Sequence, residues 1–151
     1  DLAEEAIEPA KQLTRPNGKI TLVMAIDVPP NWGYGVNPTI VFEESRNFAD
    51  QLMPQAKAYL EQIAANLLTE DFHVDTLVEF GEAATIILET AAGRKVDVSA
   101  MSTHGRSGFS RWLFGSVTGK VLSVASCPVF VIPNKRHVAE TEETAAKVAY
   151  Q

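Results

Sequence analysis

The sequence predicts an α/β fold, an open and doubly wound parallel sheet with helices on both faces. Two features carry this expectation. Short apolar runs rich in β-branched residues alternate with longer segments whose apolar residues recur at helical spacing, the pattern of repeated βαβ crossovers. A glycine-rich stretch, "MSTHGRSGFSRWLFGS" (residues 101–116), stands between a strand pattern and a helix pattern, where such sheets carry their ligands. The chain has 151 residues, 46% of them hydrophobic, which suits one domain with a full core.

The elements follow in order. "DLAEEAIEPAKQL" (residues 1–13) sets Leu2, Ala6, Ala10 and Leu13 at helical spacing. "RPNG" breaks the chain, and "KITLVMAI" (19–26) reads as a buried strand. "DVPPNWGYGVNP" (27–38) reads as a loop, because its prolines and glycines fit no regular element. Helical periodicity returns from Glu43 to about Leu68, with Ala56, Leu60, Ile63, Ala64 and Leu67 on one face. Pro54 is expected to start or kink that helix. "HVDTLVEF" (73–80) is the next strand, and "EAATIILETAAG" (82–93) the next helix, with Gly93 suited to its C-cap. "VDVSAM" (96–101) is a strand, residues 116–126 a helix and "PVFVI" (128–132) the last strand. A doubly wound domain ordinarily opens on a central strand, whereas this chain opens on a helix with Asp1. A short N-terminal piece carrying strand one is therefore expected ahead of it. Residues 1–133 are expected to form a single domain and 134–151 a polar tail.

Charge and composition exclude several classes. A net charge of −6 leaves no basic face for general nucleic-acid binding. No run of about 18 apolar residues occurs, so no membrane span is expected. The single cysteine, Cys127, allows no internal disulfide framework and lies in the apolar "SCPVFVIP", where a small buried hydrophobe is expected. The three histidines, His73, His104 and His137, have no metal-ligand spacing. A soluble, cytoplasmic protein is the expectation.

The glycine-rich stretch has the ingredients of a phosphate cradle. Gly105, Gly108 and Gly115 permit close backbone approach and inward-turned amides. Ser116 can cap the following helix or offer its hydroxyl to a phosphate oxygen. Val117 and Thr118 can add amides from the first helical turn, and Arg106 and Arg111 can neutralise charge. "GSVTGKV" is not a P-loop: only three residues separate Gly115 from Gly119, and Val121 follows Lys120 where Ser or Thr is required.

The same stretch, with "VLSVASCPVFVIP" after it, resembles the C-terminal signature of the universal stress protein family: glycine, two residues, glycine, nine residues, then Gly-Ser or Gly-Thr. Gly105 is the second glycine, the nine residues are 106–114, and Gly115 and Ser116 close the motif. The likeness extends upstream through "FGEAATIILETAAGRKVDVSAM", with Ala83 in place of the family's proline, and through "TLVMAIDVP" and the opening helix.

The resemblance implies a five-stranded parallel sheet of order 3-2-1-4-5. It also implies a homodimer, often made by pairing last strands, here Pro128 to Ile132. Members divide into those that bind ATP or AMP and those that do not, and the glycine motif marks the binders. Carried over, Ala25 and Ile26 line the adenine, Met101 and Ser102 lie by the ribose, and Gly105, Gly115, Ser116 and Val117 hold phosphates, on which Mg²⁺ can ride with waters. Two departures stand out. Ser102 replaces the motif's first glycine, which is expected to weaken or alter binding without abolishing it. The Asp-Gly-Ser that ends the family's first strand is absent from this sequence.

The expected function is a nucleotide-dependent regulatory dimer in the stress response, with a protein partner the sequence does not name. Two alternatives remain, a nucleotide-independent interaction module of the same fold and a slow ATPase. No residue offers a general base aimed at a γ-phosphate, so fast hydrolysis is not expected.

Overall fold

A computed structural model of the chain describes residues 2–27, 38–68, 72–103 and 115–133. The chain divides into two compact units, Thr14–Ile87 and Asp1–Leu13 with Leu88–Gln151.

In the first unit, "RPNG" folds as a β-turn in which the Gly18 N–H donates to the Arg15 carbonyl at 2.8 Å. Pro16 presets the first central position, and Asn17 takes the second at φ 59°, the signature of a type II turn. The turn leads into β1 (Lys19–Ile26), a crossover helix α2 (Pro38–Leu68) and β2 (His73–Phe80). β1 and β2 pair in parallel from Lys19 opposite His73 to Ile26 opposite Phe80. Both strands have the limits their apolar runs announce.

Helix α2 packs on both strands. Among its described residues Ala56, Leu60, Ala64 and Leu67 are buried, at the spacing read from the sequence, while Ile63 is half-buried. Burying a leucine of this kind stabilises by about 1.5–3 kcal/mol. The helix starts at Pro38, upstream of the expected Glu43, because proline at a first helical position sacrifices only an N–H that has no intrahelical acceptor. Pro54 therefore does not start the helix but lies inside it. Pro54 and Asp50 are both exposed, so water can serve the Asp50 carbonyl that proline leaves without a donor.

Beyond β2, Gly81 has φ 142°, a region that side chains disfavour, and donates its N–H to the Ile26 carbonyl at 3.0 Å. Helix α3 (Ala83–Arg94) begins as Glu82 accepts the Ile86 N–H at 3.1 Å and the Thr85 hydroxyl at 2.5 Å. It does not end at Gly93. The Lys95 N–H reaches the Ala92 carbonyl (3.2 Å), and the Val96 N–H reaches the Ala91 carbonyl (3.1 Å). Lys95 has φ 51°, which completes a Schellman motif with lysine where glycine is usual.

In the second unit the opening helix is a 3-10 turn (Leu2–Ala6) continued by α1 (Ile7–Leu13). Ala6 is buried and Leu13 exposed, so only part of the expected apolar face is used. Strand β3 (Ser99–Ser102) starts later than expected, because Val96 closes the preceding helix. It packs on the 3-10 turn and α1. Helix α4 (Ser116–Val124) and β4 (Val129–Ile132) follow, and β3 and β4 pair in parallel. Val121 of α4 is fully buried, and Thr118 is 3% exposed. Cys127, expected to be buried, is half-buried, with its Sγ 3.3 Å from the Ser99 hydroxyl.

The described strands thus form two separate parallel pairs, β1–β2 and β3–β4, and not one five-stranded sheet. No helix among the described residues is long and apolar enough to cross a membrane.

Candidate phosphate-binding site

The consecutive elements β3, α4 and β4 form a parallel crossover. In such a unit the helix runs back against its strands, so the N-terminus of α4 belongs to the end where β3 finishes, the ligand-bearing end of an α/β sheet. Met101 and Ser102, both half-buried, are the last residues of β3.

The start of α4 differs from the expectation in one respect. Gly115 is the N-cap, with φ −54° and ψ 160°, and its carbonyl accepts the Gly119 N–H at 2.8 Å. Ser116 is therefore the first helical residue and not the cap. Glycine is acceptable at an N-cap but has no side-chain oxygen to give to the first turn. Accordingly α4 has no side-chain cap hydrogen bond, and no acidic residue stands in its first turn. The N–H groups of Ser116, Val117 and Thr118 precede the first intrahelical donor and have no acceptor within the helix. They sit at the positive end of the helix dipole, the arrangement that takes up phosphate. Ser116 is exposed, whereas Thr118 is buried, so the amide is what Thr118 can offer.

The other expected site residues divide by location. Ala25 and Ile26 end β1 in the other unit; Ile26 is buried, and its carbonyl is taken by Gly81. Gly105, Arg106, Gly108 and Arg111 lie outside the described residues, as do His104 and His137. His73 is the exposed first residue of β2 and donates its N–H to the Gly18 carbonyl at 2.9 Å. Among the described residues no cluster of His, Cys, Asp or Glu could hold a metal ion.

Comparison with known proteins agrees with this architecture. The model of the universal stress protein family matches residues 1–133. Universal stress protein A homolog 2 of Coxiella burnetii is 31% identical over 129 residues, 83% of this chain and 82% of its own. A putative universal stress protein of Staphylococcus aureus is 29% identical over 133 residues, 87% of this chain and 76% of its own. Among solved structures, the hypothetical protein MJ0577 superposes with a TM-score of 0.73 at 25% identity, covering 89% of this chain and 92% of that one. Universal stress protein UspA from Lactobacillus plantarum shares the fold at a TM-score of 0.69 and 20% identity, covering 87% and 92%. A family match running from the first helix to the last strand, with the parallel strand pairs beneath it, leads to one conclusion: the chain belongs to the universal stress protein family.

Proposed function

We propose that the chain is an ATP- or AMP-binding stress-response protein of the cytoplasm, acting as a nucleotide-dependent regulatory dimer. Residues 1–133 act as one nucleotide-binding domain, and the strand order 3-2-1-4-5 belongs to the same reading. In it β1 and β2 are strands 2 and 3, and β3 and β4 are strands 4 and 5.

The observation that carries the proposal is the start of α4, where Gly115 supplies neither a capping side chain nor a negative charge. The backbone amides of Ser116, Val117 and Thr118 hold the phosphates, and the Ser116 hydroxyl adds a donor. Gly105, Arg106 and Gly108 belong to the same phosphate-binding set, with Arg106 supplying positive charge. Met101 and Ser102 flank the ribose, and Ala25 and Ile26 the adenine. Mg²⁺ accompanies the phosphates with water as its other ligands. Ligand occupancy is read by a protein partner through the dimer, which pairs along Pro128 to Ile132.

Ser102 favours a second reading, a nucleotide-independent interaction module, because it adds a side chain where the family motif has glycine. Calorimetric titration of the full-length protein with ATP and with AMP separates the two. Saturable heat with either nucleotide supports the first reading, and no heat with both refutes it.

A further inference from the structure

We propose that Asn17–Gly18 is a conformationally controlled deamidation site, inert while the Arg15–Gly18 turn is closed and converted to aspartate and isoaspartate once it opens.

Asn17 is the one asparagine in the sequence that precedes a glycine. In this reaction the backbone nitrogen of the following residue attacks the side-chain carbonyl carbon, and glycine, with no Cβ, hinders the attack least. The Gly18 nitrogen gives its proton to solvent and bonds to Asn17 Cγ. The Cγ–NH₂ bond breaks, and that nitrogen takes a proton from water and leaves as ammonia. Water then opens the five-membered imide. Addition at Cγ gives aspartate, and addition at the main-chain carbonyl carbon gives isoaspartate. No oxidant or reductant takes part.

Two features of the closed turn oppose the attack. The Gly18 N–H donates to the Arg15 carbonyl at 2.8 Å, so the nitrogen that must lose its proton is engaged. Asn17, at φ 59°, holds the second central position of a type II turn, where ψ is about 0°. That ψ eclipses the Gly18 nitrogen with Asn17's own nitrogen and leaves it about a third of a rotation from Cβ. The imide ring needs the attacking nitrogen alongside Cβ, so ψ must leave the turn before the ring can close. Asn17 is exposed, and water reaches it throughout.

The turn is tied to the sheet, because the Gly18 carbonyl accepts the His73 N–H at 2.9 Å beside the first β1–β2 pair, Lys19 opposite His73. Isoaspartate routes the main chain through Cβ and Cγ, which lengthens the backbone inside the turn and shifts Gly18 relative to Arg15 and His73. One opening is thereby made permanent at the start of β1.

The test incubates the full-length chain at mildly alkaline pH, folded in buffer and unfolded in urea. A lysine-specific protease releases the peptide 12–19, in which chromatography with mass spectrometry separates asparagine, aspartate and isoaspartate. The folded chain is expected to react at residue 17 at least about tenfold more slowly than the unfolded one, since attack on an opened state tracks its population. Pro16→Ala, which loosens the turn, should raise the folded rate about 2–5-fold and leave the urea rate unchanged. Equal rates in the folded and unfolded unsubstituted chain overturn the proposal, and that comparison stands even if Pro16→Ala does not fold. A folded Pro16→Ala chain that reacts no faster than the unsubstituted one shows that this turn does not control the site. Absence of reaction at residue 17 in urea removes the site itself.

Discussion

Lys95 and Gly93 make a pair of substitutions with informative signs. Sequence reasoning puts the helix-ending residue at Gly93, whereas the Schellman hydrogen bonds and the φ of 51° put it at Lys95. An L-residue in the left-handed region costs about 1–2 kcal/mol, which Lys95→Gly relieves. Glycine also gains unfolded-chain freedom, which takes back about 0.4–1 kcal/mol. The net expectation is a stabilisation of about 0.5–1 kcal/mol, or about 2–4 °C in Tm per kcal/mol for a chain of this length. Gly93 is helical, and a Cβ built there meets nothing within 4 Å. Gly93→Ala should therefore stabilise too, by about 0.5–1 kcal/mol through helix propensity. Were Gly93 the left-handed cap, that same substitution would destabilise. Urea unfolding of both variants, read as a change in midpoint at constant slope, decides the matter. A loss of stability in Gly93→Ala, or none gained in Lys95→Gly, refutes the assignment of the cap.

Three further outcomes are expected. Gly18→Ala should destabilise by about 1–3 kcal/mol by overpacking, since its Cβ would stand 2.7 Å from the Arg15 carbonyl oxygen and 2.5 Å from Thr14 Cγ2; thermal melting checks it. Lys19 Nζ lies 2.6 Å from Asp75 Oδ2 across β1 and β2, but both side chains are well exposed. Lys19→Met should consequently cost only about 0.2–1 kcal/mol, a loss that shrinks in high salt on urea titration at two ionic strengths. Gly115→Asp should weaken ATP binding at least about tenfold in calorimetry, because two unit charges at about 4 Å repel by up to about 4 kcal/mol at an effective dielectric of 20. The variant's Tm should hold or rise, since aspartate is a favoured N-cap, so a loss of binding is separable from a loss of fold.

Strands β1 and β2 were legible to the residue because punctuating residues bound their apolar runs: "RPNG" ahead of β1, Gly81 after β2. Helix limits were less so. The start of α2 lay at Pro38, a favoured first-position proline that the density of prolines around it disguised as loop. The end of α3 was hidden because a lysine took a conformation that sequence rules assign to glycine. At the start of α4, the sequence offered Ser116 as a cap or a phosphate donor, whereas Gly115 holds the N-cap. Ser-type caps are commoner than glycine caps, and nothing local announced that the helix would begin without one.

The position of the cap matters because a capped and an uncapped helix start are chemically different objects. Had Ser116 been the cap, its hydroxyl would have consumed an amide of the first turn. With Gly115 there, those amides stay with the backbone's own geometry. The same reasoning bears on Ser102. Ser99 and Thr103 give their N–H groups to β4, so the alternation of the strand turns the backbone of Ser102 toward the other edge of β3. Its Cβ stands roughly perpendicular to that direction, off the face of the sheet. A ligand arriving across the face meets a hydroxyl instead of open space. For the proposed ligand, the cost of losing the motif's first glycine is therefore set by approach across the face, where serine adds a side chain and one hydrogen-bonding group.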